Sequence, residues 1–154
     1  MQALQSMISM MTNHKTIFID SSAWISYIVI SDSNHEKAAT IFSSINTKSN
    51  LFISVFIISE TITKIRKILG QKKADALYKQ FQILEKKKRL TILAINRSII
   101  EKGIALLQKY PTPNTLSLTD ATNIVLCEQF AIPTLFSFDR DFKKLKIPHL
   151  TILP

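Results

Sequence analysis

Four acidic residues stand where short apolar runs give way to polar ones. Asp20 closes the run Thr16-Ile17-Phe18-Ile19, and Glu60 comes shortly after Leu51-Phe52-Ile53-Ser54. Asp120 opens the segment after Ser117, and Asp139 closes Thr134-Leu135-Phe136-Ser137-Phe138. Carboxylates brought to one point repel one another unless a cation lies between them. Hard divalent ions such as Mg²⁺ or Mn²⁺ take oxygen ligands, commonly one or two carboxylates together with water and a substrate phosphate. A centre of that kind can activate a water and steady the leaving oxygen of a phosphodiester during in-line displacement.

Each acid also has a purely structural use. Asp20 precedes a helical pattern and is a preferred N-cap type. Ser117-Leu-Thr-Asp120 has the spacing of a capping box. Glu60 stands four residues before Lys64, a helix-surface pair worth about 0.3–0.5 kcal/mol, and lies off the apolar stripe Ile58, Ile62, Ile65, Leu69. Asp139 and Asp141 flank Arg140, and either is placed to cap a short helix over 140–145. The four acids argue more strongly as a set than one by one.

Other chemistries fare worse. A phosphatase with a nucleophilic Asp after its first strand needs a second Asp two residues on, where Ser22 stands. A phosphate-receiving regulator needs an acidic pair before its phosphoacceptor, and nothing acidic precedes Asp20. Cys127 lies inside an apolar helical pattern, the usual setting of an inert thiol. A single cysteine allows no internal disulfide and no cysteine zinc cluster, and His14, His35 and His149 form no short metal motif. With two glycines, Gly70 and Gly103, neither a dinucleotide fingerprint nor a P-loop can be written.

The elements that must position these acids follow from periodicity. Strands are expected over 16–20, 51–54, 90–93 and 134–138, with a fifth over 150–153. Helices are expected over 23–30, 34–45, from after the second strand to Leu69 with Gly70 as the stop, and over 71–88. The 71–88 helix carries Ala74, Leu77, Phe81 and Leu84 on its inner face. Further helices are expected over 97–109, with Ile100, Ile104 and Leu107 in register, and over 117–130. Short apolar strands alternating with helices imply an α/β fold with a mainly parallel sheet covered on both faces. Residues 1–15 read as a flexible leader and 16–154 as one domain. No apolar run is long enough to span a bilayer, and a cytoplasmic protein is expected.

The 154 residues carry a net charge of +9, unevenly spread. Between Lys64 and Arg89 there are ten basic residues against two acids. Lys64, Arg66, Lys67, Lys72 and Lys73 open this block and are the candidate contacts to a polyanion, whose condensed counterions are released on neutralisation. A solvated helical face is the alternative use of such a block.

The segments Ile-Asp20-Ser-Ser22-Ala, Ser-Val-Phe-Ile-Ile-Ser-Glu60, Leu-Ser-Leu-Thr-Asp120-Ala and Pro-Thr-Leu-Phe-Ser137-Phe-Asp139-Arg-Asp-Phe occur in that order over roughly 16–150. Together they resemble the PIN-domain family, particularly the VapC-type ribonuclease toxins of toxin–antitoxin pairs. The resemblance implies a three-layer α/β/α sandwich with four to five strands, and an Mg²⁺- or Mn²⁺-dependent endoribonuclease leaving a 5′-phosphate and a 3′-hydroxyl. It implies that Asp20, Glu60, Asp120 and Asp139 are catalytic, with Asp20, Asp120 and Asp139 holding metal. Ser22 would steady Asp20 and Ser137 would orient Asp139, with Asp141 in a supporting place. It also implies a homodimer neutralised by a small antitoxin. A non-catalytic RNA-binding or assembly module, or a PIN nuclease of RNA maturation or quality control, are the alternatives. The chain departs from the family at Phe130-Ala131, where a glycine is common.

Overall fold

The computed structural model describes residues 15–154, so the expected leader lies outside the described residues apart from its last position. The elements run β1 (Thr16–Ile19), α1 (Ser21–Ile28), α2 (His35–Ser44), β2 (Asn50–Ser54), α3 (Val55–Leu69), α4 (Gln71–Lys86), β3 (Leu90–Leu93), α5 (Arg97–Lys109), α6 (Leu118–Gln129), β4 (Thr134–Phe136), α7 (Asp141–Leu145) and β5 (Thr151–Leu153). The five strands form one all-parallel sheet in the order β3-β2-β1-β4-β5. Helix α1 packs on α2 and α3, α3 on α4, and α5 on α6. These two helical groups and the sheet make the expected α/β/α sandwich.

The strand order fixes where a ligand can sit. The chain steps outward from β1 to β2 to β3, then crosses back to lay β4 on the other side of β1. Connections from β1 and β4 therefore leave in opposite directions, and a crevice opens beyond their carboxyl ends. Register sets Ile19 opposite Phe136, so Asp20 and Ser137 emerge side by side at that crevice. The Asp20 N–H still donates to the Phe136 carbonyl at 2.9 Å, the last rung of the ladder.

The sheet is held by aliphatic and aromatic side chains buried on both faces, as a parallel sheet requires. Ile17, Phe18, Ile19, Ile53, Leu135 and Phe136 are all within 1% of full burial. Trp24 on α1 bridges Phe42 and Phe81 at centroid distances of 5.0 and 5.1 Å, tying α2 and α4 onto the same core.

Helix α4 ends at Lys86, two residues before its expected end, and three other helices differ from the sequence expectation in ways that bear on the core. Helix α1 begins and ends two residues early, because Asp20 caps it at Ser22 N, and Ile30 is left 83% exposed beyond its end. Helix α3 buries Ile57, Thr61 and Ile65, one residue round from the expected stripe, while Leu69 is exposed. Isoleucine occupies adjacent positions there (Ile57 and Ile58), so apolarity alone does not set the phase. Helix α5 buries Ile99 and Gly103 and leaves Ile104 exposed. At Gly103 an added Cβ would lie 3.1 Å from Thr122 Cγ2, so the glycine brings α6 close and turns the helix toward it. Between α3 and α4, Gly70 takes φ +88°, the turn that the sequence assigned to it.

Candidate active site

Asp20 is the centre of the crevice and is only 3% exposed. Its Oδ2 accepts from Ser22 Oγ at 2.7 Å, from Ser137 Oγ at 2.8 Å and from Ser22 N at 3.4 Å. Each serine hydroxyl has one proton, and with both pointing to Oδ2 the 3.1 Å approach of the two hydroxyls is a contact between acceptors. Both acceptors are used: Ser22 Oγ takes Phe138 N–H and Ser137 Oγ takes Asp139 N–H, each at 3.0 Å. The backbone just past β4 is thus relayed through two serines onto one carboxylate oxygen. That explains why β4 stops at Phe136, two residues before the expected end. Ser137 was expected to orient Asp139, and its Oγ accepts the Asp139 backbone N–H, with no bond to the Asp139 carboxylate among the described residues.

Asp120 lies at the start of α6 in a complete capping box. Its Oδ2 accepts from Ser117 N at 2.8 Å and Ser117 Oγ at 2.7 Å, and Ser117 Oγ accepts from Asp120 N. The capping role read from the sequence is therefore real, and it holds the carboxylate at the mouth of the crevice. Burial pushes Asp120 up to about 6, against the lowering effect of the Ser117 bonds, and the charges of Asp20 and Asp139 add to the rise. Burial likewise raises Asp20, opposed by the bonds from Ser22, Ser137 and the Ser21 backbone and helped by the Glu60 charge. Neighbouring acids therefore act on one another across the crevice.

Glu60 is exposed, yet it is not paired with Lys64. Its Oε2 accepts from Ser21 Oγ at 2.8 Å, which turns it toward the start of α1. Asp139 Oδ1 accepts from Asp141 N at 2.8 Å and so starts α7. Asp141 itself turns away. It accepts from Thr115 Oγ1 and from Lys144 Nζ, the latter at 2.7 Å, and these partners hold its carboxyl below the usual range. Through Thr115, Asp141 anchors the loop that leads into Ser117.

An open cleft of about 1050 Å³ is lined by Asp20, Glu60, Asp120 and Asp139 together with Ser21, Ser22, Thr115 and Ser117. Lys64 and Lys67 of α3 form part of its wall, with Ile25 and Ile68 beside them. Arg66 borders a shallow neighbouring hollow with Ile62, Thr63 and Lys67. Lys72 and Lys73 are exposed on α4 and do not line the cleft. Sequence reasoning missed Ser21, Thr115 and Asn123. For Asn123 a signal existed: it stands three residues after Asp120, on the same helical face, in an otherwise apolar run.

A family model of the PIN domain matches residues 17–148. The chain belongs to the PIN domain family. No curated protein matches its sequence. Among solved structures, this PIN domain is similar to the Sarcin–Ricin loop-cleaving toxin VapC20 of Mycobacterium tuberculosis, at a TM-score of 0.73 and 20% identity, covering 86% of this chain and 97% of that one. It is also similar to a chain of a toxin–antitoxin complex from Klebsiella pneumoniae (TM-score 0.62, 18% identity, 88% and 95% covered). A third is VapBC2 of Rickettsia felis bound to a promoter DNA fragment (0.62, 14%, 90% and 97%). At these identities the likeness is one of fold.

The acids of this PIN domain share a cleft without forming a ready-made cage: among the described residues, no three Asp, Glu, His or Cys side chains are arranged to hold an ion. The physical reason lies in their own protein partners, Ser117 for Asp120 and the α7 backbone for Asp139. Each nevertheless keeps an oxygen in reserve. Asp120 Oδ1 and Asp139 Oδ2 take no hydrogen bond among the described residues, and Asp20 Oδ1 takes a single long one of 3.3 Å. Carboxylate oxygens with vacant lone pairs, on residues that line an open cleft, fit a hard divalent ion that retains several waters. Cys127 plays no part, since burial pushes its thiol up, well away from a reactive thiolate. Among the described residues, no helix is long and apolar enough to cross a membrane.

Proposed function

We propose that this PIN domain is a divalent-metal-dependent endoribonuclease acting as the toxin of a toxin–antitoxin pair. The observation that carries the reading is the cleft at the β1/β4 switch point, where Asp20, Glu60, Asp120 and Asp139 meet basic Lys64 and Lys67. Acidic residues at the floor have no use in binding a polyanion alone, and a basic wall has no use in binding a cation alone. A phosphodiester resting on a metal needs both.

In this reading Asp20, Asp120 and Asp139 hold Mg²⁺ or Mn²⁺ with their spare oxygens. Bound there, the ion supplies charge neutralisation and Lewis acidity for phosphodiester hydrolysis. Ser22 and Ser137 keep Asp20 Oδ2 engaged, which leaves Oδ1 as the outward donor. Ser117 fixes Asp120 in the same way. Glu60, exposed and bonded to Ser21, is in this reading the acceptor of a proton from an attacking water. Lys64 and Lys67 meet the RNA backbone beside the scissile phosphate, with Arg66, Lys72 and Lys73 further along the strand, contributing affinity without sequence choice. The likeness to VapC20 and to two toxin–antitoxin complexes supports a toxin role, and with it a cytoplasmic homodimer neutralised by a small antitoxin.

Asp20→Asn and Asp120→Asn test the assignment in the full chain. Each is expected to lower cleavage of single-stranded RNA in Mg²⁺ or Mn²⁺ by on the order of 100-fold or more, as loss of a metal's charge stabilisation demands, with the folded state intact by circular dichroism. Undiminished cleavage by both variants overturns the catalytic reading and leaves a basic RNA-binding scaffold.

A further inference from the structure

Asn123 is fully buried on α6, three residues after Asp120, and comes from a different element than the serines that hold Asp20. Its Nδ2 donates to Asp20 Oδ1 at 3.3 Å, the one hydrogen bond that oxygen receives among the described residues. A carboxylate only accepts, so the amide must present its NH₂ end to Asp20. The consequence is visible on the other end: Asn123 Oδ1 is buried with no partner among the described residues. A buried carbonyl left unpaired is a standing cost to the fold. An apolar side chain would avoid that cost, and the flanking Thr122, Ile124 and Val125 show that this stretch of α6 is otherwise packed into the interior.

We infer that Asn123 is a positioning residue for Asp20, holding the plane of its carboxylate so that Oδ1 faces the cleft while Oδ2 is retained by Ser22 and Ser137. The inference rests on the proposed reading of Asp20 as a metal-holding carboxylate. The serines engage a single oxygen of Asp20, so rotation about its Cβ–Cγ bond is opposed at Oδ2 alone. A donor on the second oxygen, from a different helix, adds a restraint at Oδ1 and fixes the carboxylate plane from both oxygens. The 3.3 Å length leaves the bond weak enough for Oδ1 to keep a lone pair for an ion. Helix α6 then serves the site twice, with Asp120 at the rim and Asn123 beneath Asp20.

The test compares wild type with Asn123→Ala and Asn123→Ser, using Mn²⁺ alone as the first probe and a short fluorescent RNA as the second. In the first measurement, the Mn²⁺ concentration giving half of the maximal rise in melting temperature is expected to increase about tenfold or more in both variants. In the second, kcat is expected to fall at least tenfold while KM for RNA changes less than twofold. A purely packing role moves the metal-free melting temperature and leaves the Mn²⁺ response and kcat as in wild type, and that result overturns the inference. So does a loss confined to KM, which would put Asn123 on the path of the RNA. If the alanine variant does not fold, the serine variant, smaller but polar, decides by the same criteria. Should wild type respond to Mn²⁺ and yet leave RNA intact, the nuclease reading fails. A response lost in the variants then still upholds the positioning role.

Discussion

At Asp120 the two meanings of an acidic residue coexist, since one oxygen closes the capping box while burial and neighbouring charges oppose ionisation. The sign of its pH effect follows. The folded state holds this proton up to about 6, whereas an unfolded carboxyl releases it near 3.8. Unfolding therefore releases a proton between those values, so stability contributed by Asp120 is lost as pH rises through that window. The rise corresponds to roughly 3 kcal/mol of destabilisation once the group is ionised. In metal-free buffer at pH 7.5, Asp120→Asn is expected to melt several degrees above wild type, and the gap should close near pH 4, where wild type is protonated. A gap of constant size across that range would sink the assignment. The acids themselves were legible, because Asp20, Asp120 and Asp139 stand at strand ends and helix starts. Their partners were harder to see: Ser21 meets Glu60 across 39 positions of chain and Asn123 meets Asp20 across 103, and no local pattern encodes such pairings.

Elements were legible wherever two signals agreed. Each strand is a short β-branched or aromatic run, and Gly70 marks the break between α3 and α4. Phase failed where the signal was degenerate. In α3 the adjacent Ile57 and Ile58 fit two stripes equally, and Thr61, polar by type, is fully buried. In α5 the buried face is defined by Gly103, whose contribution is the absence of a side chain. The departure from family pattern at Phe130-Ala131 has a structural counterpart, because Ala131 takes φ +52°, the left-handed conformation in which a Cβ crowds the following carbonyl. That conformation costs an alanine about 1–2 kcal/mol, and glycine returns part of the gain through its freer unfolded chain, about 0.4–1 kcal/mol. Ala131→Gly is therefore expected to stabilise the protein by about 0.5–1 kcal/mol, read as a rise of a few degrees in melting temperature, with cleavage unchanged because the residue is remote from the cleft. A lower melting temperature would show that the methyl group packs in the apolar hollow formed with Ile132, Pro133 and Leu150.

Across the whole molecule the basic block divides in two. Its charge was legible as one run from Lys64 to Arg89, but the turn at Gly70 divides it between two helices packed on one another, and only the first part reaches the cleft. Lys64 and Lys67 share a wall with Glu60, whereas Lys72 and Lys73 point from α4 into solvent. Linear charge density therefore overstates the number of cations near the acids. Each phosphate neutralised on a single strand contributes about −0.7 to the slope of log K against log salt. In an Asp20→Asn background, which permits binding to be measured without cleavage, Lys64→Ala with Lys67→Ala is expected to make that slope shallower by about 1.4. Lys72→Ala with Lys73→Ala should move it by less, since those ammonium groups would meet the strand only beyond the cleft. Fluorescence anisotropy of a labelled RNA over a series of salt concentrations measures both slopes. If the α4 pair proves dominant, the strand runs along α4 and does not descend into the acidic cleft, and the cleft would then have to act on RNA delivered from elsewhere on the surface.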